Sequence, residues 1–280
     1  MGIFRFKQFS VRDDVSAMKV NTDAVLLGAV MTLSENDNNL LDIGTGTGII
    51  ALMVAQRISS LLHSSGRIEA PEYVKSYDRP SYSIDAIDID SGTALEASEN
   101  FSASIWKEHL NSIHSSLEDY SKSLESDSSK GIAFHGQTQP LSRLNSDRFY
   151  DVIFSNPPYF DLSLHSPDSR RATARNSDMG LSYREIVDFS SKFLSPGGRL
   201  SLILPSSEEK ELLRYANALG LHLFRIVRIR SVAHKTPFRI IAELSFSQND
   251  SPEETYLTIN CDNGYTPQYT EFVKDFYLYM

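Results

Sequence analysis

The sequence predicts an α/β fold: a doubly wound, mostly parallel seven-stranded sheet with an antiparallel edge strand. Three observations carry that expectation. The apolar run Leu40-Leu41-Asp42-Ile43 enters a glycine-rich turn and is followed by a helix-like stretch, Ile49 to Ile58. Strand, turn and helix in that order make a βα unit. The alternation then repeats along the chain. Finally, the strand-like runs 221–230 and 238–247 are joined by a link too short for the crossover that parallel neighbours require, so they should pair antiparallel.

Taken in order, a strand at Ser83 to Asp88 precedes a helix from about Gly92 to Ser104, and residues 111–117 supply a third strand. Tyr150 to Ser155 reads as a buried strand. A helix near 182–194 then meets the turn Ser195-Pro196-Gly197-Gly198, a strand from Arg199 to Leu204 follows, and a helix spans about 206–218. Residues 62–82 and 121–147 show no apolar period and read as surface insertions, because connections within a compact domain usually span only a few residues. The chain is expected to be one domain over residues 1–280, with an N-terminal cap at about 1–35.

Composition excludes several classes. Hydrophobic residues make up 41% and charged residues 22% of 280, an ordinary globular balance. The single cysteine, Cys261, rules out a disulfide framework, and the seven histidines show no metal spacing, so no metal site is expected. No run approaches the roughly 18 apolar residues of a membrane helix, and Met1 to Lys7 lacks a signal-peptide core. A soluble, cytoplasmic protein, favoured as a monomer, is expected. The net charge of −9 is unusual for a nucleic-acid binder, but its placement is uneven. Residues 225–239 hold Arg225, Arg228, Arg230, Lys235 and Arg239 with no Asp or Glu, while acidity gathers in 85–99 and 250–254.

Asp42-Ile43-Gly44-Thr45-Gly46-Thr47-Gly48 stands at the carboxyl end of the first parallel strand. Ligands of open α/β sheets bind there, and glycines let a ligand lie against bare backbone. The G-x-G-x-G spacing differs from the G-x-G-x-x-G of dinucleotide folds, and no P-loop pattern is present. Asp88 ends the next strand, where a carboxylate can accept hydrogen bonds from both hydroxyls of a ribose. Asp90 reads as a solvated strand-end residue.

These residues resemble the cofactor half of class I S-adenosylmethionine-dependent methyltransferases, which have a Rossmann-like sheet. The resemblance implies that Asp42, Gly44, Gly46 and Gly48 lie near the amino-acid part of the cofactor and that Asp88 holds its ribose. Many relatives carry an Asp after the third strand that contacts the adenine amine. This chain has Ser116 there, with Asp119 out of register, so a backbone amide with Leu117 packing on the ring is the expected substitute.

Ser155-Asn156-Pro157-Pro158-Tyr159-Phe160 follows the buried strand. A conjugated amine is a poor nucleophile because its lone pair is delocalised. Two acceptors, the Asn156 side-chain oxygen and the Pro157 carbonyl, could hold its two hydrogens and draw the nitrogen towards a tetrahedral shape, with Tyr159 stacked on the planar target. Consecutive prolines donate no N–H and stiffen the loop. Read by itself, the tetrapeptide also fits a rigid exit from the strand. It is similar to the motif of enzymes that methylate adenine amines or the side-chain amide of glutamine in release factors.

Phe6-Lys7-Gln8-Phe9, the run Met18 to Gly28, Asn156 to Phe160, Arg171, Arg175 and the tail from Tyr265 to Leu278 together resemble one bacterial family, the tRNA1(Val) adenine-N6 methyltransferases. The likeness runs from Phe4 to Met280 outside the two insertions and departs at Asn21, where a glycine is expected, and at Ser116. It implies S-adenosylmethionine as cofactor, tRNA as partner and the adenine just 3′ of the anticodon as target. Lys19, Arg171, Arg175, Arg228 and Arg230 are the expected RNA contacts. A protein glutamine methyltransferase, or a binder of RNA and cofactor without catalysis, are the alternatives.

Overall fold

The computed structural model describes residues 2–66, 81–126, 149–158 and 180–279. An N-terminal hairpin of β1 (Ile3–Arg5) and β2 (Ser10–Arg12) leads to α1 (Thr22–Val30). The alternating core follows: β3 (Asn39–Ile43), α2 (Ile49–Ser64), β4 (Ser83–Asp88), α3 (Ser91–Ser102), β5 (Leu110–His114), α4 (Leu117–Ser126), β6 (Tyr150–Ser155), α5 (Tyr183–Phe193) and β7 (Leu194–Pro205). A short 3₁₀ turn and α6 (Glu209–Ala218) precede β8 (His222–Arg230), β9 (Arg239–Ser245) and β10 (Glu253–Thr258). A small hairpin, β11 (Asn260–Cys261) with β12 (Gly264–Tyr265), and α7 (Pro267–Val273) end the chain.

The main sheet has eight strands in the order β10-β8-β9-β7-β6-β3-β4-β5. β3 to β7 are parallel neighbours, and β9 runs against both β7 and β8, as the short link between the last two expected strands requires. Beyond them the structure adds an eighth strand, β10, parallel to β8. It begins with two exposed glutamates and buries only its last residues, so no apolar alternation marks it as a strand.

Each face of the sheet carries its own core, as a doubly wound fold demands. One gathers Val25, Leu26, Leu27, Leu52, Phe101 and Trp106 with Phe6, Val273 and Phe276 from the two ends of the chain. The other gathers Ile153, Ile186, Phe189, Leu212 and Ile226 from β6, α5, α6 and β8. α1 is buried from Ala24 to Val30 and lies against α2, so the expected cap is a structural layer.

Both expected insertions are shorter than the sequence suggested. α2 runs on to Ser64, and Tyr82 is buried and stacked on His109. α4 occupies 117–126, with Tyr120 turned into the core. The remainder of both insertions lies outside the described residues.

Candidate active site

The glycine turn is built by hydrogen bonds that need its unusual backbone. Gly44, Gly46 and Gly48 all have positive φ, between 57° and 80°, a region other residues enter only at a cost. The Gly44 and Thr45 amides both donate to the Ile87 carbonyl, at 2.9 and 3.0 Å, which ties the turn to the end of β4. A Cβ on Gly48 would stand 2.4 Å from the Phe101 ring, so α3 packs directly on the turn where α2 begins. Cβ atoms on Gly44 and Gly46 would meet Leu181 and the Ser16 hydroxyl. The turn therefore forms a cradle of bare backbone.

Asp42 sits beneath it, fully buried. Its Oδ2 accepts from the Thr45 hydroxyl at 2.7 Å, and its Oδ1 has no hydrogen-bond partner among the described residues. Burial pushes the carboxyl up to about 7, with the charge of Asp88 adding to the rise. Asp88 accepts from the Gly46 amide on Oδ2 and from the Asp90 amide on Oδ1, each at 3.0 Å. Burial raises its pKa as well. Each oxygen keeps a lone pair for a ribose hydroxyl. Asp90 caps α3 through the Thr93 amide, in keeping with the bland reading of that residue.

Several partners of this cleft carried no sequence signal. Ile89, an apolar side chain left 71% exposed, follows Asp88 at the lip. Glu96, buried in α3, accepts from the Val15 and Ser16 amides at 2.8 and 2.9 Å, and Asn100 bonds both Arg12 and the Thr47 carbonyl. The N-terminal segment is thereby fastened over the glycine turn. Periodicity could not have found these residues, because polar groups on a helix face normally read as solvated.

Both departures from the family pattern are helix caps. The Asn21 side chain accepts from the Ala24 amide at the start of α1. Ser116 Oγ accepts from the Asp119 amide at 3.0 Å and donates to the Asp119 carboxylate at 2.7 Å, opening α4. Asp119, out of register in sequence, thus stands beside Ser116. Leu117 is half-buried and leans on the second core.

Asn156 and Pro157 are buried where β6 ends, Asn156 being 7% exposed, and Pro158 turns outwards. The buried Ser155 hydroxyl donates to the Ile43 carbonyl at 2.7 Å. The residue before Asn156 is therefore bonded to the residue before Gly44. Tyr159, Arg171 and Arg175 lie outside the described residues.

The basic stretch is where the sequence expectation changes. Arg228 is held by Glu209 of α6 and by Glu254 of β10, and Arg225 by Glu243 and Glu253. The acidic segment that seemed remote is laid alongside by β10, so Arg228 is a structural cation and not an open phosphate contact. Its partners hold its pKa far above the ordinary range. Arg239 pairs with Asp23. Arg230, by contrast, makes no ion pair among the described residues; its Nε donates to the Thr258 hydroxyl. Lys19 is exposed and donates to the Asp13 carbonyl, two residues before the Asn21 cap.

The donor set fits a bound S-adenosylmethionine: an open glycine cradle, an unpartnered buried acceptor on Asp42 and a strand-end carboxylate on Asp88. A solved structure described as a predicted O-methyltransferase of Agrobacterium tumefaciens has the same fold, with a TM-score of 0.54 over 91% of this chain and 96% of that one at 14% identity. Sheet order and cleft together define a class I S-adenosylmethionine-dependent methyltransferase. No family model matches the chain. A protein of Parabacteroides distasonis named tRNA1(Val) (adenine(37)-N6)-methyltransferase is 34% identical over 278 residues, covering 99% of this chain and 98% of that protein. A protein of the same name from Vibrio vulnificus is 35% identical over 277 residues, covering 99% and 96%. This chain belongs to the tRNA1(Val) (adenine(37)-N6)-methyltransferase family.

Proposed function

We propose that this protein methylates N6 of an adenine in tRNA, the base just 3′ of the anticodon of tRNA1(Val), with S-adenosylmethionine as donor. The observation that carries the reading is the pairing of two loops at the carboxyl edge of the sheet. The acceptor pair, Asn156 and the Pro157 carbonyl, is bonded through Ser155 to the strand end that opens the glycine turn. Relatives sharing about a third of the sequence over their whole length carry the name of that reaction.

S-adenosylmethionine, when bound, supplies an electrophilic methyl group. The protein's part is to prepare the amine. Asn156 Oδ1 and the Pro157 carbonyl accept the two N6 hydrogens, and the nitrogen lone pair turns towards the cleft. Asp42, Gly44, Gly46, Gly48 and Asp88 would hold the donor with its methyl facing that lone pair, and one amine proton would leave to water after transfer. A rigid pair of prolines, which offers no N–H of its own, keeps the loop that carries these acceptors preorganised. Of the cations expected at the RNA, Lys19 and Arg230 are the described ones without an ion pair among the described residues; Tyr159, Arg171 and Arg175 are assigned to the target base and its backbone from the motif alone. No helix among the described residues is long and apolar enough to cross a membrane, and the tRNA reading supports a cytoplasmic location.

The test is incubation with labelled S-adenosylmethionine and either unmodified tRNA or a release factor, followed by identification of the labelled product. N6-methyladenosine is expected. Label on glutamine would overturn the reading, and no label on either would favour a binder without catalysis. Asn156→Ala should lose transfer by at least about a hundredfold while cofactor affinity, measured by calorimetry, stays near that of the wild type.

A further inference from the structure

The carboxyl edge of the sheet continues past Asn156 into a strip where aromatic and basic side chains alternate. Phe238 stands at its near end, 39% exposed, at the foot of the β8–β9 hairpin. Its backbone is fixed on both sides: its amide donates to the Ile229 carbonyl at 2.9 Å, and its carbonyl accepts from the Ser206 amide at 3.2 Å. The Arg239 guanidinium lies 5.5 Å from its ring centre and is itself held by Asp23 of α1. An exposed aromatic residue is usually mobile; this one is clamped. Beyond it Arg230 lies 5.4 Å from the centre of the Tyr256 ring, which is 46% exposed. The hairpin tip, residues 231–238, adds exposed His234 and Lys235 and contains no acidic residue.

The strip also lies at the right level. Ser155 is in register with Leu202 of β7, and Pro205 of β7 with Arg239 of β9. Continued one for one, these registers set Pro158 level with Pro205 and Phe238 one residue beyond it, two strand spacings away, about 10 Å. That span from the outer end of the loop suits a nucleotide flanking one seated at Asn156.

We propose that Phe238, Arg230 and Tyr256 form a stacking platform for the unpaired nucleotides flanking the target base. The inference rests on the RNA reading above and deepens it. Aromatic faces accept any base, and the Arg230 guanidinium, without a carboxylate partner among the described residues, can serve a phosphate or a base plane. The platform thus supplies affinity for an open loop, while the Asn156 loop selects the amine.

The experiment uses the full-length protein and an unmodified anticodon stem-loop RNA. Phe238→Ala and Tyr256→Ala should each raise KM for the RNA at least about fivefold, with kcat and calorimetric S-adenosylmethionine affinity unchanged. Phe238→Trp should restore binding, and its fluorescence should be quenched on adding RNA. If both alanine variants keep the wild-type KM, the platform is wrong and the RNA reading survives. If the wild type methylates no RNA, both fall.

Discussion

The two ends of the sheet solve the same electrostatic problem in opposite ways. At the β3–β4 end, acidic groups make no ion pair among the described residues: buried Asp42 meets a hydroxyl, and half-buried Asp88 meets two backbone amides. At the β9–β8–β10 end, every described carboxylate that faces an arginine is paired with it. Glu243 is fully buried and takes Arg225 and the Thr32 amide, while Arg57 and Arg199 lie close enough to feel its charge or one another's. The first arrangement leaves the acceptors of an open cleft for a ligand. The second uses its charges for cohesion, although Glu243 Oε2 too is buried without a hydrogen-bond partner among the described residues. A binding cleft and a structural edge can thus share one composition and differ only in what their charges already touch.

Removing a charge from the paired end should have the largest effect on folding. Glu243→Gln leaves Arg57 without its carboxylate and Arg225 with exposed Glu253 alone, and a loss of about 3 kcal/mol is expected in denaturant unfolding. Burial already pulls Arg57 down to about 10, with Glu243 opposing that pull. A variant as stable as the wild type would show that the cluster holds nothing together. Gly48→Ala tests the other end. It combines a φ of +80° with a Cβ 2.4 Å from Phe101, so about 2 kcal/mol of stability should be lost. Cofactor affinity should fall with it.

Asp42 sharpens the comparison through pH. Its folded pKa of about 7 exceeds the roughly 3.9 of an unfolded aspartate, so the folded state binds the extra proton between those values. Stability contributed by that proton is present at low pH and is lost as pH rises through about 7. Thermal melts from pH 5 to pH 8 should therefore show Asp42→Asn gaining on the wild type as pH rises; parallel curves would contradict the burial argument. Smallest of all, Glu254→Ala removes an exposed partner of Arg228, which keeps Glu209, and no measurable change in Tm is expected.

This contrast also explains what the sequence could disclose. The glycine turn, Asp88 and the Asn156 loop were legible because each is a local device: a strand end, a turn that needs positive φ, a stiff proline pair. Although Asn156 comes last of the three in the chain, β6 lies directly beside β3, so its loop stands next to the glycine turn. The charged edge was not legible in the same way. Residues 225–239 look purely basic in one dimension, and only the pairing of β10 with β8 brings Glu253 and Glu254 against Arg225 and Arg228. Ser155, Glu96 and Asn100 escaped notice because a buried hydroxyl, carboxylate or amide that serves a backbone partner has no periodic signature. Asn21 and Ser116 seemed to be departures from a pattern; the helices they cap account for both.

One contact made at the far side of the molecule bears on how the chain comes to be folded. Lys7 donates to the Lys274 carbonyl across 267 positions, Phe6 bridges to Tyr277, and Phe6, Phe9, Val273 and Phe276 share one core. Contacts between segments so distant in the chain close late, because the intervening loop must be ordered first. The hairpin is synthesised long before α7, and while Phe9 can rest on Trp106, Phe6 lacks Tyr277 and Phe276 until α7 and the tail leave the ribosome. The seam between the two segments is therefore sealed late, and a nascent chain halted before α7 would display Phe6 to any chaperone that binds exposed aromatic residues.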